Sequence, residues 1–180
     1  MSTAKLSSVR TCDVTGRPLF VKDLSEEQLR NSVFRILREN VLCSIATVTQ
    51  NSQAHINTAY FCYSDELEVY FLSHPGSLHC RNLATNPSAA IAIFSSSQIW
   101  TNPGRGLQLF GLCSETRGED WVKGEELYSK RFPAFVDWKA GLSKTDLAQE
   151  YRLFRFVARS LKLHDEARCG DGVFVSADVK

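Results

Sequence analysis

A short turn and helix near the middle of the chain hold the residues with the clearest chemical potential. Ser73 and Ser77 supply hydroxyl groups, and His79 and Arg81 supply positive charge when protonated. Ser77 follows a Pro-Gly pair and suits a helix N-cap. The first N–H groups of a helix have no partners within it and lie at the positive end of its dipole. The pattern therefore predicts a phosphate site, although an ordinary capped helix has the same local sequence.

The histidines are further candidates for binding or catalysis. His55 lies on a predicted strand, where it could contact a cofactor or simply bond to the backbone. His74 and His79 are five residues apart, which matches no common metal motif, so we expect no metal site. His164 begins a His-Asp-Glu run typical of a solvated strand end. There is no GxSxG elbow and no P-loop, so the sequence assigns no catalytic residue.

Composition favours one folded domain with reduced cysteines. The chain has 180 residues, 43% hydrophobic and 11% aromatic, which suffices for a core without disulfides. A net charge of +1 gives no indication of binding to nucleic acid or an anionic membrane. No apolar run approaches the roughly 18 residues of a membrane-spanning helix. The polar N-terminus lacks a signal peptide, and the six cysteines form no CxxC pair, so we expect a cytoplasmic protein.

Apolar periodicity predicts a mainly β, α+β chain in which helices flank an antiparallel barrel. Helices are predicted at 26–39, after a capping box at Ser25, and at 77–85 and 119–131. Strands are predicted at 41–49, 54–63, 67–73, 89–95, 107–116, 151–158, 160–164 and 172–177, with a mixed connection at 134–148. Residues 1–23 are expected to be a flexible N-terminal arm, and residues 24–180 the folded domain.

The order of these elements resembles the pyridoxamine 5'-phosphate oxidase-like FMN-binding split-barrel superfamily. The similarity covers about residues 30–178 and is found in VLCSIATV, AHINTAYFCY, RNLATNPSAAIAIF and LQLFGLCSE. Its most specific part is the Asn-Leu-x-x-Asn-Pro run within the third segment. The resemblance implies an antiparallel split β-barrel that forms a homodimer, with two FMN sites at the subunit interface.

The resemblance also implies which residues surround the flavin. Four consecutive residues would border the ring: Asn57, Thr58, Ala59 and Tyr60. Three would border the phosphate: Ser73, Ser77 and His79. Gln108 lies on a nearby predicted strand, so its amide could reach the cofactor or face solvent. Trp100 lies in a loop, where it could stack on a flat cofactor or pack against the partner subunit.

Two departures from the family pattern concern charge. Asn57 and His79 stand where flavin-binding members place an arginine and a lysine. Each replacement removes a charge-assisted bond of roughly 1.5–3 kcal/mol. Arg81, Arg105 or a residue of a partner subunit could supply the missing charge.

The resulting expectation is an FMN-dependent oxidoreductase that acts on a small molecule. The namesake oxidase is disfavoured, because the chain lacks its Arg-Leu-Ala-Pro ending and its arginine and tryptophan signature. One alternative is a haem-binding or haem-degrading protein, with His74, His79 or His164 as axial ligand. Others are a reductase that uses deazaflavin F420 and a non-catalytic cofactor-binding dimer.

Overall fold

The computed structural model describes residues 3–21, 24–142 and 151–180. The strands are β1 (Leu6–Cys12), β2 (Leu42–Val48), β3 (Ala54–Tyr63), β4 (Glu68–Ser73), β5 (Ser88–Ile93), β6 (Arg105–Glu115), β7 (Arg152–Asp165) and β8 (Phe174–Val179). The helices are α1 (Glu26–Glu39), α2 (Leu78–Thr85), α3 (Glu119–Arg131), α4 (Ala134–Gly141) and α5 (Glu166–Cys169). Within these ranges no helix is long and apolar enough to cross a membrane.

Six antiparallel strands close into a barrel. The strand order is β1-β8-β7-β4-β3-β2-β5-β6, and β6 also pairs with β7. This last pairing closes the ring from β7 to β6, while β8 and β1 extend the sheet outside it. The structure confirms the mainly β split barrel with flanking helices.

Alternate strand residues and one face of α1 fill the barrel core. Ile45 on β2 and Ile93 on β5 are fully buried, as are Leu29 and Ile36 on α1. The predicted capping box begins α1, since the Ser25 hydroxyl accepts from the backbone of the third helical residue, whose side chain accepts in return from Ser25 N–H. The capping box therefore fixes the first turn of α1.

The two strands predicted at 151–158 and 160–164 are one continuous strand, β7. Gly111 pairs with Ala158 and Phe110 pairs with Ser160, so Arg159 is an extra residue that forms a bulge. A Cβ atom on Gly111 would lie 2.0 Å from the Val157 carbonyl oxygen, so only glycine fits opposite the bulge. The bulge shifts the alternation of side chains, and the sequence pattern therefore resembled two strands.

Residues 6–12, within the flexible arm that the sequence predicts at 1–23, form β1. This strand pairs antiparallel with β8, and its Leu6 N–H donates to the Glu26 carboxylate at 2.9 Å. Only Leu6 among its residues is fully buried. Because the other side chains are largely polar and accessible, periodicity gave little sign of a strand.

Two other expectations need correction. Asp165 does not lie at a solvated strand end: it is 1% exposed, and its carboxylate accepts from Arg35 at 2.7 Å. The connection predicted at 134–148 contains α4, whose Phe135 is buried against α3. Positions 143–148 of that prediction lie outside the described residues.

Candidate functional site

Three side chains meet where β4 gives way to α2. Ser73 ends β4, Ser77 is the N-cap of α2, and His79 lies in the first turn of that helix. His79 Nε2 lies 2.6 Å from Ser73 Oγ and 3.2 Å from Ser77 Oγ, and the two hydroxyl oxygens are 3.3 Å apart. This serine-histidine cluster joins the three residues predicted to border a phosphate.

The N-terminus of α2 is not capped by its own N-cap side chain. Ser77 has the extended backbone of an N-cap, but its hydroxyl bonds within the cluster and not to the first helical N–H groups. The first N–H that bonds inside the helix is that of Arg81, which donates to the Ser77 carbonyl at 3.0 Å. The N–H groups of Leu78, His79 and Cys80 thus remain available at the positive end of the helix.

The imidazole of the cluster is buried and favours its neutral form. His79 is 6% exposed, and burial lowers its pKa below the ordinary value of histidine. The nearby His55 lowers the pKa further, since the two rings stack with centroids 6.3 Å apart and planes 6° apart. The cluster is therefore electrically neutral near pH 7.

A buried hydrogen bond sets the position of α2. Asn82 donates through Nδ2 to Thr47 Oγ1 at 3.0 Å, and both side chains are buried. Thr47 on β2 is the register partner of His55 on β3. The bond holds α2 across these two strands, which places the His79 ring over the His55 ring.

The four residues predicted to border the ring are divided between the two faces of β3. Asn57 and Ala59 are half-buried and share a face with His55, which points toward α2. Thr58 and Tyr60 lie on the opposite, exposed face. Only the first pair thus continues the surface that carries the serine-histidine cluster.

The backbone of β3 offers a second kind of contact. β3 pairs with β4 only from Phe61 to Tyr63, so within the described chain the edge of residues 54–60 that faces away from β2 has no strand partner. The Phe61 N–H donates to the Val41 carbonyl at 3.1 Å, on the β2 side. By the alternation of antiparallel bonding, the even-numbered residues of 54–60 direct their N–H and C=O groups toward the open edge. Thr58 and Tyr60 therefore reach this edge through their backbone.

The arginines expected to compensate for the missing charge are bonded elsewhere. Arg81 donates to the Gly76 carbonyl, and Arg105 forms an ion pair with Glu39 at 2.8 Å. Arg152, the register partner of Ser73, lies 3.4 Å from the carboxylate of Glu115 on β6. In the described chain, the cluster thus contains hydroxyl and imidazole groups but no fixed cation.

A second concave region, which we call the outer cleft, lies beside strands β6 and β7. Its volume is about 900 Å³, and it is bordered by the 94–105 loop, Gln108, Lys162, His164 and Phe174. Gln108 lies on the exposed face of β6 and so belongs to this cleft. Trp100 in the loop is 99% exposed. The predicted site residues therefore occupy two separate regions of one chain.

The wall of the outer cleft contains contacts that the sequence did not predict. Phe174 lies between His164, with ring centroids 4.9 Å apart, and Lys162, whose Nζ is 4.2 Å from the Phe174 ring centre. The alternation of Lys162 with buried leucines was a signal that it faces outward. No signal in the sequence pointed to Phe174, because β8 meets β7 only in the folded sheet.

The described residues contain no group of three or more His, Cys, Asp or Glu side chains that could hold a metal ion. All six cysteines are free, and five of them are buried. Burial raises the pKa of the Cys43 thiol to about 12 and that of Cys62 to about 12. These thiols are thus protonated and inert near neutral pH.

Comparison with known proteins supports the reading of the fold. A family model described as pyridoxamine 5'-phosphate oxidase matches residues 29–164. No curated protein sequence matches the chain. The match includes β2 to β6, most of β7, and the whole serine-histidine cluster.

Several solved structures share the fold at low sequence identity. A haem-binding protein from Mycobacterium smegmatis has a TM-score of 0.63 and 16% identity over 79% of this chain; the chain covers 56% of that protein. A pyridoxinephosphate oxidase family protein from Clostridium acetobutylicum, related to general stress protein 26, has a TM-score of 0.62 and 11% identity, with 84% and 95% of the two chains covered. A FAD-binding protein from Mesorhizobium loti has a TM-score of 0.55 and 16% identity, with 94% and 98% covered. At these identities the likeness establishes the fold alone.

Proposed function

Since the chain belongs to the pyridoxamine 5'-phosphate oxidase family, we propose that it binds FMN and acts as an FMN-dependent oxidoreductase on a small molecule. The observation that carries this proposal is the serine-histidine cluster at the uncapped N-terminus of α2, beside the open edge of β3. The cluster suits a phosphate, and the open edge suits a flat heterocycle.

The donor set at α2 fits a phosphate group. The Ser73 and Ser77 hydroxyl oxygens lie 3.3 Å apart at the start of α2, where the helix dipole favours negative charge. His79 adds a third side-chain donor when it is protonated. These groups would hold the phosphate of FMN without a fixed cation.

The open edge of β3 fits the polar rim of a flavin ring. Backbone N–H and C=O groups alternate along residues 54–60 on the edge away from β2. The flavin ring carries its own donors and acceptors along one side, so it can bond to this edge. Asn57 lies beside that edge on the face that carries His55 and His79, and could orient the ring.

A bound flavin would supply hydride transfer, which no side chain of this protein can perform. The residues of the chain bind and orient the cofactor and exclude water from it. The buried cysteines take no part, because their raised pKa values keep them as thiols. The free thiols also support the reducing cytoplasm as the compartment.

We also propose that a second copy of the chain completes the site. The sheet has an exposed apolar face, on which Ile56, Ala46, Ala90 and Phe110 stand side by side across four strands. Ile56 is 68% exposed and Phe110 is 42% exposed, an unusual surface for a monomer. The partner would bring its outer cleft, with Gln108, toward the cofactor. The change Ile56→Lys should shift the protein from dimer to monomer in sedimentation analysis, whereas Val122→Lys, on the exposed side of α3, should not.

The decisive experiment is an absorption spectrum of protein purified without added cofactor and again after incubation with FMN and desalting. Retention of the visible flavin bands is the expected result, and it would justify a search for reductants and acceptors. A protein that stays colourless after FMN, but retains a deazaflavin, would replace the cofactor and keep the site. A protein that retains neither would be a non-catalytic dimer or a haem protein.

Haem is the second candidate, because the outer cleft is large enough to admit it and one of its walls carries His164. The Nε2 of His164, however, is buried: it lies 3.2 Å from a carboxylate oxygen of Glu166 but has no hydrogen-bond partner in the described chain. The Nε2 of His79 is also buried and lies within hydrogen-bond distance of two serine hydroxyls. Haem ligation would therefore require a rearrangement that FMN binding does not, and a Soret band in the same spectrum would reveal it.

A further inference from the structure

We propose that His79 makes phosphate binding at the serine-histidine cluster depend on pH: the protonated imidazole is a ligand that carries positive charge, whereas the neutral imidazole lacks this charge and, when its proton is on Nδ1, also holds a serine hydroxyl. This inference rests on the proposed function, since it concerns the same phosphate site. In this proposal a titratable imidazole supplies the positive charge that a lysine side chain would supply permanently.

The geometry couples the charge of His79 to the direction of the hydroxyl groups. Nε2 is within hydrogen-bond distance of both Ser73 Oγ and Ser77 Oγ. When Nε2 carries no proton it can only accept, so a serine O–H that points to it is unavailable to an anion. When both ring nitrogens carry protons, Nε2–H donates to a serine oxygen, and both hydroxyl protons become free for the anion. Protonation therefore adds positive charge from either neutral tautomer, and from the tautomer protonated at Nδ1 it also frees a serine donor.

The surroundings leave this charge to be balanced by a ligand. From β3, His55 stacks on His79 and adds no negative charge. From β7, Arg152 lies opposite Ser73 and is paired with Glu115 of β6 at 3.4 Å. Within α2, Arg81 is bonded to the Gly76 carbonyl, and Cys80 is a buried thiol whose pKa is raised by burial.

In the turn before α2, His74 is exposed and accepts from the Gly76 N–H at 3.0 Å. No carboxylate in the described chain forms an ion pair or hydrogen bond with His79. A protonated His79 is thus a buried cation without a counter-charge in the described chain, and binding of an anion would stabilise it. By reciprocity, the anion raises the proton affinity of His79 by the same factor that protonation raises anion affinity.

Sulfate is the best probe, because it stays doubly charged across the range in which histidine titrates, whereas the phosphate of FMN itself titrates near pH ~6. Sulfate affinity would be measured by calorimetry from about pH 8 to about pH 5.5, at constant ionic strength set with chloride. We expect the affinity to rise roughly tenfold as the pH falls, the size of one charge-assisted bond. Equal affinity at both ends would overturn the proposal.

Two variants isolate the imidazole. His79→Lys should bind sulfate tightly with little dependence on pH, and His79→Gln weakly with little dependence on pH. If His79→Gln keeps the pH dependence of the unchanged protein, the charge lies elsewhere and the inference is wrong. Should a variant fail to fold, His55→Gln provides an independent test: removing the second ring should move the sulfate transition to higher pH, and no movement would count against the proposal.

Titration with FMN separates this inference from the proposed function. FMN binding that follows the same pH profile in the unchanged protein and in His79→Lys would overturn the inference and leave the cofactor in place. Sulfate binding that depends on His79, in a protein that binds no flavin at any pH, would support the inference and remove the proposed function. Nuclear magnetic resonance of the His79 ring protons gives a further readout, since sulfate should raise the pKa that they report.

Discussion

Two buried clusters of polar residues in this barrel differ in whether their charges are balanced by neighbouring side chains. In the first, the Glu68 network, the carboxylate of Glu68 is 7% exposed and accepts from Lys123 at 2.7 Å and Tyr70 at 2.8 Å. Arg155 approaches its other oxygen at 3.0 Å and also pairs with Asp120. Burial raises the pKa of Glu68, but these donors and cations lower it more, so the carboxylate stays ionised.

The serine-histidine cluster is the opposite case. His79 is as deeply buried as Glu68, but its neighbours are two hydroxyls and a second imidazole. Burial and His55 both lower its pKa, and no counter-charge opposes them. The network joins α3 to the barrel, and its carboxylates and cations are paired with one another. The cluster has no counter-charge of its own, and in the proposed function a bound anion supplies it.

Breaking the network should have the largest effect on stability. Glu68→Gln leaves Lys123 and Arg155 without their shared counter-charge, and we expect the free energy of unfolding to fall by roughly 2–4 kcal/mol. The figure is at the low end for buried pairs because Lys123 is 42% exposed. Denaturant unfolding would measure it. Glu66→Gln, at a 33% exposed partner of the same lysine, is the control and should cost less than about 1 kcal/mol.

A negative charge added to the cluster should weaken the binding of an anion there. Ser77→Asp places a carboxylate where we expect the phosphate, and FMN affinity should fall at least tenfold, a loss of about 1.4 kcal/mol or more. Fluorescence titration of the flavin would measure it. Asn31→Asp adds the same charge on the exposed face of α1 and should leave the affinity unchanged. Similar affinities in the two variants would place the phosphate elsewhere.

Loosening α2 should weaken the cluster without changing its charge. Thr47→Val removes the acceptor of Asn82 and leaves a buried amide unsatisfied, which should cost about 1–3 kcal/mol of stability. FMN affinity should also fall a few-fold, because His79 loses its fixed position over His55. A variant that is less stable but binds FMN as before would show that the cluster does not depend on the Asn82 bond.

The smallest expected effect is on the pH dependence of stability. Folding depresses the pKa of His79, so the unfolded chain binds more protons below the ordinary histidine pKa of about 6.5. Stability should therefore decline as the pH falls from that value, and His79→Gln should decline less. Added sulfate should restore part of the loss. An identical acid response in the two proteins would contradict the assignment of a buried, neutral imidazole.

The sequence predicted the elements whose signals are local. The capping box at Ser25 and the alternation in AHINTAYFCY gave the bounds of α1 and β3 as the structure has them. It did not predict β1, whose side chains are mostly accessible, or the continuity of β7 through the bulge at Arg159. These depend on pairing with distant strands.

The candidate site, like the fold, could be predicted from the sequence only where its residues lie close together in the chain. The sequence proposed Ser73, Ser77 and His79 together because they lie within seven residues around one turn. Their contact with His55 depends on a helix held across two strands by the Asn82 bond, and no short pattern contains that arrangement. The open edge of β3 is likewise a property of strand pairing.

The proposed function requires the serine-histidine cluster to hold the phosphate of a flavin. FMN and riboflavin differ only in that phosphate, so the ratio of their dissociation constants on the unchanged protein tests the claim directly. At about pH 6 we expect FMN to bind at least tenfold more tightly than riboflavin, and Ser77→Asp to reduce this ratio toward one. Equal affinity of the unchanged protein for the two flavins would contradict the proposed phosphate site, because the phosphate would then contribute nothing to binding.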